Sequence, residues 1–321
     1  MKIRSALFAL GLSLMTAPAA AAEPPRVVAS ILPLHSLVSA VMEGVGTPHL
    51  LLPGHTSPHD YTMKPSDARV LDSADVVFWI GESLETMLER PIDALAADAV
   101  VVAAAEAKGV VVLPVREGGA WEAHGHDDHD DHDKHEKHDD EHKHEEEHAH
   151  HGGDPHLWLS PANAKALLSV IAGTLSKADP EHAATYRANA TKAQAAIDAA
   201  AQAVAATLAP VRERPYIVFH DAYQYFERHF RTNAVGSVTL SDARRPSAAR
   251  VREIQHKIAD AGAVCVFSEP QFEPKLVRTL TAGTNARAGE LDPLGAVITP
   301  GAGHYLALLS ALADSLADCL K

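Results

Sequence analysis

Hydrophobic positions in this chain fall in short runs, each followed by a polar segment with helical spacing. RVVASIL (26–32) precedes a helix expected from about Pro33, and HLLLP (49–53) precedes one through Ser66 to Leu71. VVFWIG (76–81) precedes one around Leu84 to Arg90, and VVAA ends near Ala103. Apolar runs alternating with helical patterns predict parallel strands joined by crossover helices. Beyond an interruption at 120–153, His156 to Leu159 leads into a helix beginning at Pro161. Pro180 to Ala209 is rich in Ala, with no Gly or Pro inside. At 1.5 Å per residue it makes a helix of roughly 45 Å. YIVFH, AVGSV, AVCVFSEP and ARAGELDP then resume the alternation, and the last helical segment ends at Cys319.

This pattern predicts an α/β protein: an N-terminal lobe over 23–178, a bridging helix over 179–209 and a C-terminal lobe over 210–321. A single doubly wound domain with the long helix lying over its sheet fits the same alternation. Two lobes are preferred because the alanine-rich helix lacks a continuous apolar face wide enough to be buried on a sheet. About 300 residues also exceed the size at which one core keeps growing.

The first residues read as an export signal over 1–22. Lys2 and Arg4 supply the positive start, Ala6 to Met15 an apolar run, and Ala20 to Ala22 a small-residue cleavage site. A retained anchor is the alternative, but a run of roughly 10 residues is short of the ~20 that span a bilayer. Export places Cys265 and Cys319, the only two cysteines, where disulfides persist, so a pair is expected; two buried thiols remain the other reading.

Charge is concentrated in the interruption. The chain carries a net −14, and between Glu122 and Glu147 acidic residues outnumber lysines by 13 to 3, a surplus of 10. The remainder is nearly balanced, with no basic stripe to suggest nucleic acid. Eleven histidines lie between His124 and His151 among Asp, Glu and Lys. Such a segment cannot offset its ordering entropy by burial, so a flexible, solvated loop is expected. Its imidazoles would take up zinc, nickel or copper at several weak, degenerate sites; a plain solvated tether is the alternative. Composition thus points to metal without locating the functional site.

Three other histidines share a context. His59 in SPHDY follows an apolar run, His156 in DPHLWLSP precedes a helix, and His220 closes YIVFH; Asp292 in GELDPLG ends the last strand-like run. Ligands of open α/β sheets gather at the carboxyl ends of strands, so these loops can converge on one crevice. Three imidazoles with one carboxylate or water suit tetrahedral zinc.

The segments SPHDYTMKPSD (57–67), DPHLWLSP (154–161), VFHDAYQYFE (218–227), CVFSEPQF (265–272) and LDPLG (291–295) resemble those of the periplasmic zinc-binding proteins of bacterial zinc ABC importers, the ZnuA family. The likeness spans essentially the whole mature chain, the acidic His-rich insert and long helix included. It implies two (β/α)4 lobes bridged by a rigid helix, with Zn2+ between them held by His59, His156 and His220. Manganese-binding relatives have Glu where this chain has His220, and a nitrogen-rich set favours zinc over the harder ion. Some zinc members carry Glu just before the first ligand; here Pro58 stands there, which leaves Asp292 or water to complete the sphere. The family pattern also pairs the cysteines corresponding to Cys265 and Cys319.

The expected function is a periplasmic receptor, a monomer, that binds one Zn2+ tightly. It would deliver the ion to an ABC importer's membrane permease, served by a cytoplasmic ATPase, with a periplasmic zinc chaperone as a further partner class. A stiff bridge would limit lobe closure, so release would come from movement of a ligand loop. A zinc buffer without a transporter would use the same residues. A zinc hydrolase would need a general base beside the metal; Glu269 and Asp221 are the nominees, each equally readable as a loop hydrogen-bond acceptor, and no HExxH is present.

Overall fold

A computed structural model describes residues 23–116, 121, 153–238, 248–272 and 275–321. The export signal at 1–22 and the His-rich insert lie outside the described residues.

The first lobe runs β1 (Val27–Ala29), α1 (Leu32–Val41), β2 (His49–Leu50), α2 (Pro65–Asp72), β3 (Val76–Trp79), α3 (Glu82–Glu85), α4 (Glu89–Leu95) and β4 (Val100–Ala103). Next come α5 (Pro161–Ala178) and α6 (Ala183–Leu208). The second lobe runs β5 (Pro215–Val218), α7 (Gln224–Phe230), β6 (Asn233–Ser237), α8 (Ala248–Asp260), β7 (Cys265–Ser268), α9 (Lys275–Thr281), β8 (Arg287–Glu290) and α10 (His304–Leu320). Each lobe holds a four-stranded parallel sheet, in the orders β2-β1-β3-β4 and β6-β5-β7-β8. The orders are equivalent, and in each the chain reverses direction across the sheet beside its first strand. That reversal opens a crevice at the carboxyl ends of the strands.

One expected element differs. The helix around Leu84 to Arg90 is two short helices separated by a 3-10 turn at Thr86–Leu88. Pro91 lacks an N–H and its ring would clash with the Met87 carbonyl, so an α-helix can start just before it but not run through it.

Side-chain alternation sets the layers of the second lobe. Tyr216, Val218, Cys265 and Phe267 join the main core, which is shared with the first lobe, while Ile217, Phe219 and Val266 face a smaller cluster with Ile254, Ile258, Val277 and Leu280 of α8 and α9. Successive strand residues point to opposite faces, so one strand serves both.

The long helix packs on helices. Tyr186, Ala190, Ile197, Val204 and Leu208 form a buried stripe on α6, and its neighbours are α5, α10 and α1. Alanine elsewhere on the helix lets them approach closely. Asp179 starts this unit: its carboxylate accepts from His182 N at 3.4 Å, the His182 ring at 2.7 Å and Tyr186 Oη at 2.7 Å. Cys265 of β7 and Cys319 of α10 are joined, with Cα atoms 6.1 Å apart. No helix among the described residues is long and apolar enough to cross a membrane.

Candidate metal centre

His59, His156 and His220 come together in the cleft, with one ring nitrogen from each lying within 4.8 Å of the others. His59 sits in a 3-10 turn, Pro58–Asp60, beyond β2; Ser57 starts the turn, its hydroxyl accepting from His59 N at 3.3 Å. His156 immediately precedes the 3-10 turn Leu157–Leu159 that leads into α5. His220 follows β5, at the point where the second sheet reverses.

The Nε2 atom of His156 lies 3.4 Å from His59 Nε2 and 3.2 Å from His220 Nε2. Ligand atoms at 2.0 to 2.1 Å on a tetrahedral zinc ion are separated by ~3.4 Å, so these spacings are those of neighbouring corners of one coordination sphere.

Carboxylates orient two of the rings. His156 Nδ1 donates to Asp154 Oδ1 at 2.8 Å, and the same oxygen accepts from His156 N at 3.0 Å. His220 Nδ1 donates to Glu269 at 2.8 Å. With the proton held at Nδ1, each Nε2 presents its lone pair to the cleft. Glu269 is fully enclosed, and burial raises its pKa while the His220 contact opposes the shift. The single Tyr223 Oη proton is shared between Glu269 Oε1 and Leu291 O, both at 3.2 Å, and burial followed by the charge of Glu269 holds the pKa of the phenol well above its ordinary value. It therefore stays a donor. A chain of fixed groups runs from Leu291 through Tyr223 and Glu269 to His220.

A cavity of about 10 Å³ lies among Pro58, the three histidines, Trp158, Glu269, Gln271, Phe272 and Leu294. That is room for a single ion or water rather than an organic molecule. Trp158 lines it, with its ring centroid 5.4 Å from that of His156. Phe219 stacks at 4.6 Å on Phe272, which supplies the lining, and Tyr61 turns its hydroxyl to Asp67.

Asp292 is not brought into the histidine group. Its Oδ1 accepts from Leu294 N at 3.0 Å and Gln271 Nε2 at 3.2 Å, and its Oδ2 from Ala296 N at 2.5 Å, so the carboxylate organises its own loop. Asp221 pairs with Arg116, which also bonds Glu227 at 2.6 Å. Burial alone would lower the pKa of Arg116, but its bonds to Asp221 and Glu227 raise it. Both nominated bases thus serve as acceptors that position other groups. Asp154, missed in the sequence, had a local signal: an Asp two residues before a ligand can bond both the backbone and the ring of that His.

Residues 27–319 match the family profile described as Zinc-uptake complex component A, periplasmic. The chain is 53% identical over 311 residues to the High-affinity zinc uptake system protein ZnuA of Brucella suis, covering 94% of this chain and 93% of that one. To the protein of the same name from Paracoccus denitrificans it is 43% identical over 328 residues, covering 99% of each. A crystal structure of ZnuA superposes with a TM-score of 0.75 at 24% identity, covering 93% of this chain and 100% of that one, and shows the same fold. On this match, and on the agreement of fold with it, the chain belongs to the ZnuA family of periplasmic zinc-uptake components.

Proposed function

We propose that this protein is a high-affinity zinc receptor of the periplasm, which holds one Zn2+ on His59, His156 and His220 and delivers it to an ABC importer. The observation that carries this reading is His156 Nε2 at tetrahedral spacing from both His59 Nε2 and His220 Nε2, with two of the three rings oriented by carboxylates. An all-imidazole set suits zinc better than manganese or magnesium, which favour oxygen ligands. Water is the fourth ligand we infer, since both Asp292 oxygens are engaged by Leu294 N, Ala296 N and the Gln271 amide. The small cavity fits ion capture. The names of the relatives, zinc uptake system proteins, support delivery to a permease and its ATPase.

Chelator competition on the mature chain tests the ligands. Replacing His59, His156 or His220 by Ala is expected to weaken the tight site by two orders of magnitude or more, about 3 kcal/mol each. A variant with unchanged affinity removes that histidine from the set. Deleting 124–151 should abolish only weak binding; loss of the tight site would refute this assignment. Uptake of zinc by cells carrying the His156→Ala protein should fall at low external zinc, and uptake equal to wild type would refute delivery.

A further inference from the structure

Gln271 joins the two lobes at the rim of the metal cavity. Its Nε2 donates to Gly54 O of the first lobe at 3.0 Å and to Asp292 Oδ1 of the second at 3.2 Å. A peptide carbonyl and a carboxylate accept hydrogen bonds, so the amide orientation is settled by its partners: nitrogen faces Gly54 and Asp292, and Oε1 is the other terminal atom. That Oε1 is buried and has no hydrogen-bond partner in the protein, while Gln271 itself lines the cavity beside the three histidines. Leaving a buried amide oxygen without a donor is costly, and one held beside an ion site is placed to accept from a donor that arrives with the ion.

The lobes also approach closely here. A Cβ added to Gly54 would lie 2.8 Å from Ala296 Cα and 2.3 Å from a Leu32 methyl, so only glycine permits this approach. Ala296 N in turn donates to Asp292 Oδ2. Gly54, Gln271, Asp292 and Ala296 therefore form one cross-cleft junction, and Gly54 lies five residues before His59.

We propose that Gln271 is a positioning residue for the cargo ion: its Nε2 ties the His59 loop to the Asp292 loop, and its Oε1 accepts a hydrogen bond from the water on the ion's fourth position. This rests on the three-histidine reading above. It gives Asp292 a part in retention through Gln271, without coordination. Release then requires the Gln271 contacts to break, which frees the loop carrying His59 and the fourth ligand in one event.

The test uses the mature full-length chain and Gln271→Met, which keeps the volume and removes both polar ends. Zinc dissociation into excess chelator should be on the order of 10–100-fold faster in the variant, the usual effect of losing a group that orients a metal's ligands. The visible absorption of the Co2+ form, which reports the number and kind of ligands, should change at constant pH. Equal dissociation rates together with superimposable Co2+ spectra would overturn the proposal. A zinc-loaded crystal structure of the unmodified chain guards against a misfolded variant. A water bound to zinc and within hydrogen-bond reach of Gln271 Oε1 supports the assignment; a fourth ligand out of its reach defeats it. Failure of the underlying reading looks different: the unmodified chain would then lack a tight zinc site, or would keep it in His156→Ala.

Discussion

At the scale of single residues, carboxylates do two jobs in this molecule. Asp154 and Glu269 fix imidazole tautomers, so removing their charge while keeping their shape should weaken zinc without dismantling the fold. Asp154→Asn and Glu269→Gln are each expected to lower affinity about 10–100-fold, and competition titration checks this; wild-type affinity in both would remove the tautomer argument. Glu85 illustrates a purely structural acid. It is buried, its Oε2 accepts from Ile80 N at 2.8 Å and Gly81 N at 3.2 Å, and burial moves its pKa from 4.5 to about 7. Because the folded value is raised, its stabilising contribution is fully present below pH 4.5 and is lost as pH rises through 7. Glu85→Gln should therefore gain roughly 1–3 kcal/mol on wild type between pH 5 and pH 8.5 in urea unfolding. Parallel stability curves for the two proteins across that range would contradict it.

At the scale of elements, α6 shows how a weakly amphipathic helix is held. Its alanines supply propensity and close approach, while a few large side chains supply burial against α5, α10 and α1. Ile197, 1% exposed, lies in the middle of that stripe. Ile197→Ala should cost ~2–5 kcal/mol, whereas Ala199→Ser on the exposed face should change stability by about 0.5 kcal/mol. Equal effects at the two positions in denaturant unfolding would mean that the stripe does not carry the packing. The pattern of runs and breaks made most elements legible in the sequence. Pro91 was the local signal for the break at Thr86–Leu88, whereas the shortness of β2 depends on where the chain turns against its neighbours.

For the whole molecule, the decisive feature is a core that does not stop at the lobe boundary. One buried cluster contains Val27 and Phe78 from the first sheet, Ile197 from α6, and Tyr216 and Phe267 from the second sheet. Polar ties cross the same boundary: Trp158 Nε1 to Pro293 O and Tyr305 Oη to Trp158 O at 2.8 Å, Tyr225 Oη to Asp154 O at 2.6 Å, and Arg116 to Asp221. The lobes should therefore unfold together. Scanning calorimetry of the zinc-free chain is expected to show one main transition that moves upward with zinc, by about 4 kcal/mol of stability at a thousandfold excess over Kd. Two separated transitions, with only one responding to zinc, would contradict this continuity.

The sequence by itself determined the α/β alternation, the long alanine-rich helix, the disulfide partners and the histidines that form the group. Each follows from residue types in local order: apolar runs, helix formers, the only two cysteines, and imidazoles at strand ends. What the ligands lean on was decided only by the tertiary structure. Glu269 lies 49 positions from His220 and Gln271 lies 217 from Gly54, so nothing local links them. The fate of Asp292 belongs here too. Its place after the last strand suits a ligand, yet its oxygens bond Leu294, Ala296 and Gln271, since a carboxylate in a folded loop takes the nearest N–H donors.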